Sequence, residues 1–398
     1  MTHPVVAELN GLGQSLWLDH LDRRQIESGE LAALVELGVS GVTANPTIFQ
    51  KAVGGSDAYD ESLRKLIDRG LTAEQSLWEL LIEDIRSVAD ILRPTWERTE
   101  GADGYVSIEV SPTIAHSTER TVDMARDLFS RCGRPNVLIK IPGTAEGLPA
   151  VRATLAAGIN VNVTLIFSVE RYGEVVEAFL AGLEDLKAAG GDVAQVASVA
   201  SFFVSRVDTK VDKVLADAGR SELRGRAAIA NSKLAYEMFH VLHSGNRWEA
   251  LAGAGARPQR CLWASTSTKD PSYSDVMYVE TLVGGPTVNT VPLPTLEAVL
   301  DHLEVRPTLA EGLDEAKRAL DELRSAGVDI QEVTRELEVE GVAAFAESHE
   351  KLLAEITRKT ARPDTTAAEE HAALTFPGSD APAWPGGVGA GKREGRRD

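Results

Sequence analysis

The run Val137-Leu138-Ile139-Lys140-Ile141-Pro142-Gly143-Thr144 is short, apolar and β-branched, and a Pro-Gly pair ends it. Those are the marks of a buried strand. One residue does not fit. An ammonium in such a segment is costly to bury as a charge. Desolvation favours the neutral amine, which is the nucleophilic form of a lysine. Lys140 is therefore a candidate for Schiff-base chemistry with a carbonyl compound. It can also be a lysine that snorkels from a strand end into water, and the segment alone leaves both readings open.

Seven further segments read as strands: Ser15 to Asp19, Gly41 to Asn45, Tyr105 to Val110, Ile159 to Thr164, Val196 to Phe202, Arg260 to Ser265 and Thr287 to Val291. Amphipathic helical patterns lie between them. Thr118 to Arg131 puts Val122, Ala125, Leu128 and Phe129 on one face. Val169 to Ala188 does the same with Val175, Phe179, Leu183 and Leu186. Strands alternating with helices predict parallel βα units, and eight of them predict an α/β fold, a single closed (β/α)8 TIM barrel with extra helices. A doubly wound open sheet is the second architecture. It usually has fewer strands, and a two-sided asymmetry that this sequence does not display.

Residues 50–104 are too many for one helix and predict two, the second starting at the capping-box run Thr72-Ala73-Glu74-Gln75. Residues 205–258 predict two or three more. After the eighth strand, Leu296 to Leu303, Leu313 to Ala326 and Ile330 to Arg358 read as helices that fold back over the barrel. The barrel domain is thus expected over residues 1–359. Beyond it Pro, Gly, Ala, Thr and charged residues take over, so residues 360–398 are expected to form a disordered tail.

The 398 residues are 43% hydrophobic and 25% charged, an ordinary soluble globular composition with length for a large core. A net charge of -19 argues against nucleic acid and against an anionic membrane surface as partners. It leaves room for a local basic pocket that takes a phosphorylated metabolite. Cys132 and Cys261 stand far apart, which points to a reducing compartment rather than a disulfide framework. The N-terminus lacks a signal-peptide pattern, and no apolar run is long enough to span a membrane, so a cytoplasmic location is expected.

Polar residues stand at or near the C-terminal ends of most expected strands: Asp19, Asn45, Glu109, Lys140, Asn162 with Thr164, Ser201 and Ser265. In a barrel those ends converge on the face that carries the active site. Any one of them can simply mark a strand emerging into solvent. Together they supply an amine nucleophile, two acids as proton carriers, and amide donors that can hold a polyol. That is the inventory for forming and resolving an imine.

The segments around these residues, taken jointly, resemble the transaldolases. The match runs through Leu18-Asp19, Gly41-Val42-Thr43-Ala44-Asn45-Pro46-Thr47, Val106-Ser107-Ile108-Glu109-Val110 and Leu138-Ile139-Lys140-Ile141-Pro142. It continues through Gly158-Ile159-Asn160-Val161-Asn162-Val163-Thr164-Leu165-Ile166-Phe167-Ser168, Ser201-Phe202-Phe203-Val204-Ser205-Arg206 and Trp263-Ala264-Ser265. The size is similar to that of the longer bacterial members, of actinobacterial type.

The resemblance implies that Lys140, on the fourth strand, is the Schiff-base lysine. It implies that Asp19 moves the proton of the substrate C4 hydroxyl, and that Glu109 relays protons through a water that Thr164 helps to hold. Asn45 and Asn162 would bind the dihydroxyacetone portion, with Ser201 nearby, and Arg206 the terminal phosphate. A planar guanidinium suits phosphate because its fork is bidentate. The implied reaction moves a dihydroxyacetone unit from sedoheptulose 7-phosphate or fructose 6-phosphate to glyceraldehyde 3-phosphate or erythrose 4-phosphate. The implied pathway is the non-oxidative pentose phosphate branch, and the imine serves as the electron sink without metal or organic cofactor.

One departure concerns phosphate. Many transaldolases carry a second phosphate-binding arginine shortly after the seventh strand, where this chain reads Ala264-Ser265-Thr266-Ser267-Thr268-Lys269. Lys269 is the substitute candidate, with Ser265 and Ser267 as hydroxyl donors; it can also be an exposed loop lysine. Phe203 stands where relatives that release free dihydroxyacetone tend to carry a tyrosine, which favours transfer. The alternatives are such a fructose 6-phosphate aldolase and a barrel that binds sugar phosphates without catalysis. The oligomeric state is not legible in the sequence.

Three patterns are set aside. Gly386 to Lys392 has most of a P-loop, but Arg393 replaces the Ser or Thr that would bind Mg²⁺. His240 and His243 lie three apart on an expected helix, without an accompanying carboxylate motif. His20 follows Asp19, and strand alternation turns it away from the site.

Overall fold

The structure, a computed structural model, describes residues 2–360. Eight strands form one closed barrel in sequence order: β1 (Gln14–Leu18), β2 (Gly41–Val42), β3 (Tyr105–Glu109), β4 (Val137–Pro142), β5 (Val161–Ile166), β6 (Ser198–Phe203), β7 (Arg260–Ala264) and β8 (Thr287–Val291). All neighbours are parallel, and β8 closes on β1. The closed barrel forms, not the open sheet. Nearly every strand residue is buried, because helices cover the outside and side chains fill the inside.

The N-terminal end of the barrel is held by Asp103. Its carboxylate accepts from Trp17 Nε1 at 2.8 Å and from Ser40 Oγ at 2.8 Å, and also from Ser15. Groups at that end serve stability, leaving the opposite end for chemistry.

β2 is much shorter than the expected Gly41 to Asn45. A Cβ at Gly41 would lie 2.4 Å from the Trp17 ring, so the strand passes the ring only as glycine. Its ladder runs on one step, Thr43 N–H donating to Leu18 C=O at 2.9 Å. Asn45 then turns the chain as the N-cap of the helix Pro46–Gly54, with Pro46 in the first turn.

The capping box at Thr72 and Gln75 opens the helix Ala73–Arg98 as expected, and the helix Val169–Ala188 has its expected bounds. Asp60–Asp68 precedes the first, while Ser205–Asp217, Ala227–Leu242 and Asn246–Ala252 fill the other long connection. The helix Thr118–Cys132 buries Thr121, Ala125, Leu128 and Cys132, so its core stripe is rotated from the one expected. Cys132 and Cys261 are buried and free.

The last helix, Ile330–Thr360, crosses the C-terminal mouth of the barrel. Thr47 and Ser348 share a hydrogen bond of 2.8 Å, and Lys359 Nζ donates to Ser56 C=O at 2.6 Å. Gly341 permits the approach, since a Cβ there would meet Leu165 Cδ2 at 3.0 Å. No helix among the described residues is long and apolar enough to cross a membrane. Apart from Thr360, the expected tail, including Gly386 to Lys392, lies outside the described residues.

Candidate active site

A cavity of about 450 Å³ opens among the C-terminal ends of the strands. Asp19, Asn45, Lys140, Thr164, Ser201, Arg206, Ser265 and Lys269 all line it. Glu109 and Asn162 do not; they sit beneath it on β3 and β5.

Register places Glu109 beside Lys140 and Lys140 beside Asn162. Lys140 Nζ lies 3.1 Å from Glu109 Oε2, with the two side chains only 5% and 4% exposed. The ammonium also donates to Ala44 C=O at 3.3 Å. Lys140 therefore does not snorkel into water; it ends inside the barrel mouth. Burial pushes the Glu109 carboxyl above its ordinary range, against the pull of Lys140, and the nearby charge of Asp19 pushes the same way. Apart from the Lys140 ion pair, neither Glu109 carboxylate oxygen nor Thr164 Oγ1 has a hydrogen-bond partner among the described residues, although all are buried.

Asp19 follows the last residue of β1. Its Oδ1 accepts from Thr43 Oγ1 at 2.7 Å, and Thr43 is 2.7 Å from Thr290 Oγ1. Burial raises the Asp19 carboxyl, while Lys140, Thr43, His20 and Arg206 act against the rise. Raising the carboxyl makes it a stronger proton acceptor than an ordinary aspartate.

β5 is irregular where it meets the site. Its pairing with β6 slips between Val163 and Ile166, and Leu165 has φ 59°, left-handed for a side chain that prefers otherwise. A strained residue of this kind costs about 1–3 kcal/mol and persists only where its surroundings hold it. Here Gly341 lets the last helix clamp Leu165 directly. Ser265, just past β7, is another such residue lining the site, with φ 56°. Its hydroxyl is tied to Ser205 Oγ at 2.9 Å.

Two expected amides are partly spent on structure. Asn162 is fully buried, donating from Nδ2 to Ser107 Oγ at 3.0 Å and accepting at Oδ1 from Ser201 Oγ at 2.7 Å. It is a strut beneath Ser201. Asn45 gives its Oδ1 to the Ile48 N–H at 3.0 Å, which leaves its amide group toward the cavity.

Arg206 has no hydrogen bond and no ion pair among the described residues. Its guanidinium lies 5.2 Å from the Phe203 ring and 6.0 Å from the Phe345 ring. Burial pushes its pKa down, with Asp19 opposing. Lys269 donates to Ser267 Oγ at 2.5 Å, and desolvation together with Arg206 and Lys51 holds its ammonium low. Lys51, which also lines the cavity, was not expected from the sequence. It stands six residues after Asn45 on the helix that Asn45 caps, and that spacing was the available signal. Among the described residues Arg206, Lys269 and Lys51 have no ion-pair partner, and all three line the same cavity, which makes that part of it electropositive.

His20 also lines the cavity, contrary to the alternation argument. β1 stops at Leu18, so period-two alternation no longer governs residue 20. Phe345, from the last helix, completes the wall. A larger cleft of about 680 Å³ lies outside the barrel mouth, beside Arg171 and Glu338. Arg171 is already paired with Glu174 and Glu338. No group of three or more His, Cys, Asp and Glu among the described residues is placed to hold a metal. His243 packs against the rings of Phe239 and Trp248, and burial lowers it to about 4.

The fold and site together define a (β/α)8-barrel enzyme with a lysine–carboxylate centre. The family model described as transaldolase/fructose-6-phosphate aldolase matches residues 16–356, and the chain belongs to that family. It is accordingly an enzyme of the transferase class. It is 51% identical over 358 residues to a transaldolase of Parafrankia sp., covering 89% of this chain and 97% of the relative. It is 52% identical to that of Saccharopolyspora erythraea, covering 88% and 96%, and 51% identical to that of Thermobifida fusca, covering 89% and 98%.

Proposed function

We propose that the chain transfers a dihydroxyacetone unit between sugar phosphates through an imine on Lys140. The observation that carries this reading is the buried ion pair of Lys140 and Glu109, with Lys140 opening onto a cavity that Arg206, Lys269 and Lys51 also line. The donor is fructose 6-phosphate or sedoheptulose 7-phosphate. The Lys140 amine attacks C2, and Glu109 returns protons through a water shared with Thr164 as the carbinolamine forms and loses water. Apart from the Lys140 ion pair, the buried oxygens of both side chains have no hydrogen-bond partner among the described residues, which supports that role.

Asp19 takes the proton of the C4 hydroxyl, and the C3–C4 bond breaks. Its electron pair flows into the imine, leaving an enamine on Lys140, and an aldose phosphate departs. The enamine carbon then attacks C1 of erythrose 4-phosphate or glyceraldehyde 3-phosphate. Hydrolysis of the new imine frees the product and restores the amine. The Asn45 amide and Ser201 hold the hydroxyls of the three-carbon unit, with Asn162 fixing Ser201. Arg206, Lys269 and Lys51 hold the phosphate, with Ser265 beside them. The imine is the electron sink, so the scheme uses neither metal nor organic cofactor. The place of such a reaction is the non-oxidative pentose phosphate branch, in the cytoplasm.

Phe203 lines the cavity without a hydroxyl to protonate the enamine, which favours transfer over release of free dihydroxyacetone. Incubation with fructose 6-phosphate and erythrose 4-phosphate tests the proposal. It should give sedoheptulose 7-phosphate and glyceraldehyde 3-phosphate. Free dihydroxyacetone as the main product, or no turnover, would refute it.

A further inference from the structure

We infer that Phe345, delivered by the last helix, is a positioning residue that keeps the three-carbon enamine from water until an acceptor arrives. The inference rests on the reading of Lys140 as the imine-forming residue. Phe345 is 3% exposed and lines the cavity. Its ring centre lies 5.6 Å from Lys140 Nζ and 6.0 Å from the Arg206 guanidinium. One ring thus spans the reacting end and the phosphate end. The Phe203 ring centre lies 5.2 Å from the same guanidinium, so two aromatic side chains pack against it.

The position of Phe345 is built into the backbone. Gly341 is one helical turn earlier, on the same face. A Cβ there would meet Leu165 Cδ2 at 3.0 Å and Phe167 at 3.6 Å. The absent side chain lets the helix descend onto the strained end of β5, and the next turn then places Phe345 in the cavity. A helix held only for stability has no need to present an aromatic ring to a lysine and an arginine.

The consequence is chemical. An enamine on Lys140 has two fates. Its carbon can attack an acceptor aldehyde, which is transfer. It can instead take a proton from water; the resulting iminium adds water, the C2–N bond breaks, and dihydroxyacetone leaves with the lysine amine restored. An apolar wall beside the nitrogen slows only the second fate.

Phe345→Ala tests this through the ratio of free dihydroxyacetone released to dihydroxyacetone transferred. That ratio should rise roughly tenfold as water gains access. Phe345→Leu refills the wall and should bring the ratio most of the way back. A purely structural defect lowers both fates together and leaves the ratio still. If Phe345→Ala does not fold, Phe345→Val carries the same test with a smaller gap beside Lys140; the ratio should again rise. An unchanged ratio in folded Phe345→Ala or Phe345→Val, or a ratio in Phe345→Leu as high as in Phe345→Ala, overturns the inference. Borohydride reduction of wild type with fructose 6-phosphate separates the two levels. An adduct on Lys140 with an unmoved ratio refutes only the wall, and no adduct refutes the imine itself.

Discussion

Lys140 and Glu109 stand side by side on adjacent parallel strands, their charged atoms 3.1 Å apart and both side chains sealed from solvent. Breaking such a pair by removing one partner strands the other charge, at about 3–5 kcal/mol where it cannot neutralise. Glu109 can neutralise, because burial already holds its carboxyl above the ordinary 4.5. Lys140→Ala should raise it further. A carboxyl whose folded pKa exceeds its unfolded pKa binds more protons when folded, so it subtracts stability as pH rises between the two values. Lys140→Ala should therefore match wild type most nearly in acid and fall behind it only once pH rises above the value to which burial holds wild-type Glu109, itself above 4.5. Denaturant unfolding across that range checks the sign; an equal deficit at every pH would contradict the pairing.

Asp19 is expected to act as a base in bond cleavage, and its carboxyl is raised by burial. The acid limb of the transfer rate should thus lie above the ordinary aspartate value of 3.8. Asp19→Asn should still form the imine but slow transfer by roughly 10²- to 10⁴-fold, the usual worth of a positioned acid or base. Rapid-quench measurement of imine and product in parallel decides this. An unchanged transfer rate would remove Asp19 from the mechanism.

Lys51 and Lys269 share the cationic end of the cavity with Arg206. A charge-assisted hydrogen bond contributes about 1.5–3 kcal/mol, so each Lys→Ala change should cost roughly ten- to a hundredfold in kcat/KM. The loss should fall mainly on KM, and should shrink at high salt because the site is open to solvent. Steady-state kinetics of Lys51→Ala and Lys269→Ala at two ionic strengths test this. A KM that does not move for either variant would return that residue to an ordinary exposed lysine.

The barrel was legible because its signals are local. β8 coincides with the expected Thr287 to Val291, and the helix Val169–Ala188 with its apolar spacing. The residues that line the cavity were legible mostly through strand ends, and that rule failed where the chain departs from regular strand geometry. His20, expected to turn away, lines the cavity because it falls beyond the last residue of β1, and Asn45 lines it from a helix cap rather than from a strand. Asn162 was expected at the substrate; it sits beneath the cavity, hydrogen-bonded to Ser107 and Ser201. Lys51 and Phe345 come from helices on opposite ends of the sequence, and only the tertiary docking of Ile330–Thr360 onto Pro46–Gly54 brings them to one cavity.

The central claim is that a covalent imine forms on Lys140. Borohydride reduction in the presence of fructose 6-phosphate, followed by peptide mass mapping, reads it directly. Active protein should carry a reduced three-carbon or six-carbon adduct on the peptide containing Lys140 and lose activity in proportion, while Lys140→Ala should take up none. Active protein that forms no adduct, or forms it on another lysine, would contradict the account.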